Sequence, residues 1–234
     1  QCALTNNKVK AVMSSAIQYQ GRKARRAGSE QRRQAILDAA LNIIVTDGIR
    51  AVRHRAVARE ADVPLSATTY YFKDISDLIA DAFTLFAERA LEEVIRPFRD
   101  QAFGLIQQFQ AQASHQEPDR ARLIESLASM TTAFILDEVT NRREHLIAEQ
   151  AFFQEAILDP RLRGLADLYL KEMSSLLIDA CRAVGSESPE LDAELIHSFL
   201  LATEVRLLAH PEWADEKALN KRMHHLLEKL VPHG

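Results

Sequence analysis

Glycine and proline are scarce in this chain, seven of each among 234 residues. So few turn-formers leave little room for the repeated tight reversals of an all-β sandwich or barrel, or for glycine-rich loops. Cysteine is scarcer still: Cys2 and Cys181, far apart. They make neither a disulfide framework nor a zinc-ligand pattern, and they suit a reducing, cytoplasmic location. No apolar run reaches the roughly 18 residues that read as a membrane span. The stretch at 9–17 is too short and too polar for a signal-peptide core, so no membrane partner is expected. Catalytic patterns are missing too. There is no phosphate-cradling glycine loop, no Gly-x-Ser-x-Gly and no Cys–His constellation. Glu194-Leu195-Ile196-His197 has the Glu-x-x-His spacing of di-iron bundles, but such sites need a second copy and two further glutamates. His224 and His225 point to different helix faces. A helical-bundle metal enzyme is therefore the weaker alternative; the expectation is no enzyme, no cofactor and no metal.

What the chain does have is apolar residues, 47% of the total, recurring at helical spacing. Its charge is also divided. The net value is −4, yet residues 1–60 hold twelve Lys and Arg against four Asp and Glu, which is +8 and leaves −12 for the remainder. A basic head on an acidic body is the footprint of a protein that meets a polyanion at one end. The basic run at 20–28 (QGRKARRAG) reads as an arm able to grip phosphates or a minor groove. No amphipathic helix with a Trp/Phe/Leu face follows it, so a membrane surface is the poorer partner.

The organising stretch is 52–78, VRHRAVAREADVPLSATTYYFKDISDL. It predicts a helix with Val57 and Ala58 inward, a turn at Asp62-Val63-Pro64, and a short second helix over 65–72. Pro64 lacks an amide hydrogen and suits the start of a new helix rather than the continuation of the old one. The second helix carries Ser66, Thr68, Thr69, Tyr70 and Tyr71 with hardly any aliphatic bulk. A helix so short and polar builds no core alone and reads as the probe of a helix-turn-helix. Thr68 and Phe72 fall at inward spacing; Leu65, Ser66, Thr69, Tyr70 and Lys73 fall outward. Ser66 and Thr69 suit base edges, Leu65 a thymine methyl, and the tyrosine hydroxyls phosphates.

Residues 31–86 resemble the DNA-binding domain of the TetR family of bacterial regulators. The matching residues are Ile36-Leu37-Asp38-Ala39-Ala40 and Gly48, then Val57-Ala58-Arg59-Glu60-Ala61-Asp62-Val63, Tyr70-Tyr71-Phe72, and Asp77-Leu78-Ile79. Val52-Arg53, Ser66 and Ile75 stand where the family has a Thr or Ser cap, a glycine and a lysine. The resemblance implies an all-α protein with a basic arm at 1–28, a three-helix DNA-binding domain at 29–78 and a larger ligand-binding and dimerisation domain at 79–234, the two domains linked by a fourth helix. By alignment it places Arg53, His54, Arg55, Leu65, Ser66, Ala67, Thr69, Tyr70, Tyr71 and Lys73 at double-stranded DNA. Arg32 and Arg33 on the first helix are further candidates for the DNA backbone.

Helical periods predict the first helix over 30–46, ended by Gly48 in an αL conformation, and the fourth over 76–96, capped by Ser76 and stopped by Pro97. Six more follow near 99–114, 119–138, 141–158, 161–184, 189–209 and 215–230. Two late helices carry broad apolar stripes: Leu165, Leu168, Tyr169, Leu176 and Leu177 on one, and Ile196, Phe199, Leu200, Thr203 and Leu207 on the other. The resemblance makes these a homodimer interface; the apolar faces alone also suit a protein-interaction module. It further implies a small-molecule effector, with Phe109, Phe134, Glu138, His145, Glu149, Phe152 and Phe153 as pocket candidates. The expected function is a ligand-responsive repressor that binds a pseudo-palindromic operator as a homodimer and is released by its effector.

Overall fold

A computed structural model describes Tyr19, Gly21 and residues 27–112 and 117–232. Cys2, most of the basic arm and the end of the helix predicted over 99–114 lie outside the described residues. The described chain is all-α. Helices α1 (Ala27–Asp47), α2 (His54–Glu60) and α3 (Leu65–Tyr71) are followed by α4 (Ile75–Arg89). Then come α5 (Arg96–Gln112), α6 (Glu117–Thr140), α7 (Arg143–Leu158), α8 (Pro160–Ala183), α9 (Pro189–Ala209) and α10 (Glu216–Leu230). Described residues up to Glu88, with Ala151–Ala166, form one compact unit; Arg89–Gln150 and the described residues from Asp167 onward form the second. The first unit thus reaches beyond the expected boundary at 78 and takes in a later segment of the chain.

The core of the first unit is built from the predicted stripes. Ile36, Leu37, Ala40 and Ile44 of α1 are buried with Val57, Phe72, Leu78 and Phe83. Phe83 packs on Phe152, ring centroids 4.9 Å apart. Gly48 has positive φ but a ψ of 162°, outside the αL basin expected, in a region only glycine enters readily. Asp62 carries the turn between α2 and α3 at φ 50°, which its short polar side chain tolerates.

Two sequence expectations need correction here. Asp74, not Ser76, caps α4: its carboxylate accepts from the Ser76 amide at 2.9 Å, and these hydrogen bonds hold the Asp74 carboxyl below its ordinary range. Pro97 does not stop the helix either. The chain passes through a π segment (Ala90–Ile95) straight into α5. Proline removes one amide donor and crowds the carbonyl four residues back, and a wider π turn ahead of it re-registers the ladder.

The core of the second unit gathers Ile106, Ile124, Leu127, Ile135, Leu200 and Met223 among others. Arg120 ties its C-terminal end down, donating to the carbonyls of Glu228 (2.7 Å) and Val231 (2.8 Å). Cys181 is a free buried thiol, pushed up to about 11 by burial and so chemically quiet.

Candidate functional site

The α2–α3 pair is fixed by its backbone. The Val63 amide donates to the Ala58 carbonyl at 3.0 Å and the Ala67 amide to the Pro64 carbonyl at 2.8 Å, closing the turn and starting α3 without a side-chain cap. Thr68 and Phe72 are fully buried and anchor α3 from beneath. Above them Ser66, Thr69 and Lys73 are exposed, while Leu65 and Tyr70 are 41% and 53% exposed. These two large side chains thus lie outside the core of the first unit. Thr69 donates only weakly along its own helix, at 3.3–3.4 Å to the Ser66 and Leu65 carbonyls, so its oxygen retains acceptor capacity. On α2, Arg55 is exposed and His54 half-buried; Arg53 is exposed at the N-cap and makes no side-chain cap bond. Ala67 is half-buried.

Two expected DNA contacts are internal instead. Tyr71 is buried; its hydroxyl donates to the Ser29 carbonyl at 3.0 Å and lies 2.7 Å from the Ser29 hydroxyl. It braces α1 against α3, with Tyr70 set edge-on to its ring. Arg33 is also buried and its guanidinium sits 2.6 Å from Asp81, 4.4 Å from the centre of the Tyr19 ring and 5.6 Å from that of Phe72. The signal was in the sequence: Arg33 stands three and four residues before Ile36 and Leu37, on the buried stripe of α1.

In the second unit the structure gathers Glu138, His145 and Glu149, three of the pocket candidates. His145 Nδ1 lies 3.0 Å from Glu138, which also meets Arg142 at 3.3 Å; Glu149 accepts from the Tyr169 hydroxyl at 2.7 Å. Burial is the chief cause that raises both the Glu149 carboxyl and the Tyr169 phenol. Phe134 belongs to the same unit and packs at a tilt against Phe98, ring centroids 4.3 Å apart; Phe109 is half-buried there. Phe152 and Phe153 fall in the other unit, where Phe152 is core against Phe83 and Phe86. Sequence reasoning missed Glu204, buried beside this group, although its place between Leu200 and Leu207 on one face of α9 marks it as inward.

The late helices sort differently from expectation. Tyr169, Leu200, Thr203 and Leu207 are buried within the single chain. Leu165, Leu168, Leu176, Leu177, Ile196 and Phe199 are half-buried. What α9 leaves outward is a stripe at alternating spacings of four and three: Leu191, Leu195, Ser198, Ala202, Val205 and Ala209. Among the described residues no group of three His, Cys, Asp or Glu is placed to hold a metal, and no helix is long and apolar enough to cross a membrane.

An all-α chain with a short exposed helix held on a turn, and a separate helical unit with buried polar groups, has the architecture of a helix-turn-helix regulator. Comparison with solved structures specifies which. A TetR-family member from Streptomyces coelicolor A3 superposes at TM-score 0.57 with 22% identity, over 86% of this chain and 99% of that one. A transcriptional regulator from Rhodococcus sp. Rha1 gives 0.59 with 16% identity, over 85% and 95%. The multidrug binding protein EbrR, complexed with ethidium, gives 0.57 with 23% identity, over 84% and 98%. No protein-family model matches the chain, and a search of curated proteins finds no significant match. The chain therefore has the TetR-family regulator fold.

Proposed function

We propose that this protein is a ligand-responsive transcriptional repressor. As a homodimer it binds a pseudo-palindromic operator, and it lets go when a small molecule occupies the second unit. The observation that carries the reading is the outward face of α3: Leu65, Ser66, Thr69, Tyr70 and Lys73 exposed above a buried Thr68–Phe72 anchor. That is the distribution a helix needs to lie in a major groove, with a methyl contact, two hydroxyls for base edges and a charge for a phosphate. Arg55 adds a guanidinium fork beside the groove, the most discriminating contact for guanine. The +8 charge of residues 1–60 supplies the attraction to phosphate.

One such helix reads only a few base pairs, so useful affinity requires two copies, about 34 Å apart or a multiple of that. The exposed stripe on α9 is the face that pairs them. Its residues at 195, 198, 202 and 205 include small side chains that allow close helix approach. EbrR, a structure of the same fold, is a multidrug binding protein complexed with ethidium, which supports a ligand-receiving role for the second unit.

The test is a gel shift on DNA flanking the protein's own gene, at low salt and without ligand. The wild-type chain gives a sequence-preferring shift. Thr69→Ala with Tyr70→Ala abolishes it while the dimer, followed by size-exclusion chromatography, persists. A wild-type chain that shows no sequence preference overturns the reading.

A further inference from the structure

A helix of seven residues is too short to hold its shape alone, so the order of α3 comes from what it packs against. Its C-terminal end is met by residues that precede α1 or open it. The Tyr71 hydroxyl reaches Ser29 twice, 3.0 Å to its carbonyl and 2.7 Å to its hydroxyl. Phe72, whose amide closes the helix on the Thr68 carbonyl at 2.9 Å, is fully buried, and the backbone of Gly21 lies against its ring. A Cβ on residue 21 would stand 2.4 Å from that ring, so the approach is open to glycine alone.

Tyr19 and Gly21 are also fastened along α4. The Gly21 amide donates to Asp81 at 2.9 Å and the Tyr19 hydroxyl to Glu88 at 2.6 Å. Asp81 and Glu88 are seven residues apart, two turns on one face of α4. Arg33 of α1 completes the cluster, 2.6 Å from Asp81 and 4.4 Å from the centre of the Tyr19 ring. Burial, and next the bond to Glu88, push the Tyr19 phenol well above its ordinary value, so it stays protonated and a donor. All of these residues belong to the first unit.

A grip on DNA and an internal tie make opposite demands on these two residues. A gripping residue keeps its polar groups outward for phosphate oxygens. Here the Tyr19 hydroxyl and the Gly21 amide are spent on carboxylates of α4. We propose that Tyr19 and Gly21 act as a strap that sets the pose of α3, which makes them positioning residues for DNA recognition although neither touches the duplex. Leu65, Ser66, Thr69 and Tyr70 can read bases only if the helix beneath them is held to a fraction of an ångström, and the Phe72 ring is where the strap holds it. The assignment rests on the reading of α3 as the recognition helix, and adds what keeps it in place.

Amide hydrogen exchange and DNA binding of the full chain test this together. Gly21→Ala drives a methyl into the Phe72 ring; Tyr19→Phe keeps the ring beside Arg33 and loses only the bond to Glu88. The DNA is a duplex that the wild-type chain selects from a random pool, with a scrambled duplex of the same composition as reference. Gly21→Ala speeds exchange at the end of α3, the Phe72 amide included, and leaves that around Ile36 and Leu37 unchanged, which a general loss of stability would not allow. It weakens the selected duplex by about tenfold, the discrimination of one base pair. Binding to the scrambled duplex and the salt slope stay as in wild type, because no phosphate contact is lost. Tyr19→Phe moves both readouts the same way by a smaller factor, and carries the comparison should Gly21→Ala fail to fold. The strap is overturned if α3 exchanges at the wild-type rate in both variants, or if exchange quickens while the selected duplex is held as tightly as before. It is also overturned if both duplexes weaken together with a shallower salt slope, which marks a direct grip on DNA. A wild-type chain that selects no sequence refutes the repressor reading instead, and the exchange of α3 still decides whether the strap holds it.

Discussion

The Arg33–Asp81 pair shows how a single position can mislead a reading from sequence and then explain the fold. Arg33 looks like a DNA contact because it sits in a basic run, yet it is 4% exposed and paired with an Asp81 that is fully buried. Asp81 also accepts the Gly21 amide at 2.9 Å, so one carboxylate ties two elements to α4. Gly21 has to be glycine there, because a Cβ would run into the Phe72 ring. Buried pairs of this kind are costly to break from one side, since the surviving charge has no solvent to turn to. Asp81→Ala is therefore expected to destabilise the protein by about 3–5 kcal/mol, measured by urea denaturation. Arg33→Met combined with Asp81→Leu should recover most of that loss, because the double change leaves no orphaned charge. A single-variant cost under about 1 kcal/mol would mean the pair is better solvated than its burial indicates.

Among whole elements, the helices were legible wherever proline or glycine punctuated the chain. The spacing predicted 189–209 and the helix is Pro189–Ala209; it predicted 215–230 and the helix is Glu216–Leu230; the short probe predicted over 65–72 is Leu65–Tyr71. Where punctuation was ambiguous the reading failed, as at Pro97, which a π turn absorbs. Which way an apolar helix faces was harder to see. The α9 sequence is apolar nearly all round, so periodicity cannot tell the side the chain covers from the side left for a partner. The structure shows which side the chain covers: Leu200, Thr203 and Leu207 are buried, while Leu191, Leu195 and Val205 are 63%, 53% and 41% exposed, and the proposed dimer uses that exposed side. Leu195→Glu with Val205→Glu should hence turn a dimer into a monomer in light scattering. Both positions are exposed in the single chain, so the fold itself should change by no more than about 0.5 kcal/mol per site. A variant that stays dimeric places the interface on some other face.

For the molecule as a whole, the division of charge bears on the proposed DNA binding. Residues 1–60 carry +8 and the rest −12, so on the proposed function residues 1–60 would attract a duplex at long range and the remainder would repel it. On that reading affinity would rest on close phosphate contacts made by residues 1–60, each of which would release condensed counterions. For 6–10 contacts shared by two heads, operator affinity should fall by about 10³–10⁵ between 50 and 200 mM salt. The slope of log affinity against log salt also tells the two kinds of arginine apart. Arg55 is exposed on α2, and Arg55→Ala should shallow the slope by about one per chain if it meets a phosphate. If it reads guanine instead, affinity falls on one sequence and the slope stays nearly unchanged. Arg33 is consumed by Asp81, so a variant that removes both partners should leave the slope where it was. A slope that shifts with the Arg33–Asp81 pair and not with Arg55 would reverse which of the two arginines faces the duplex.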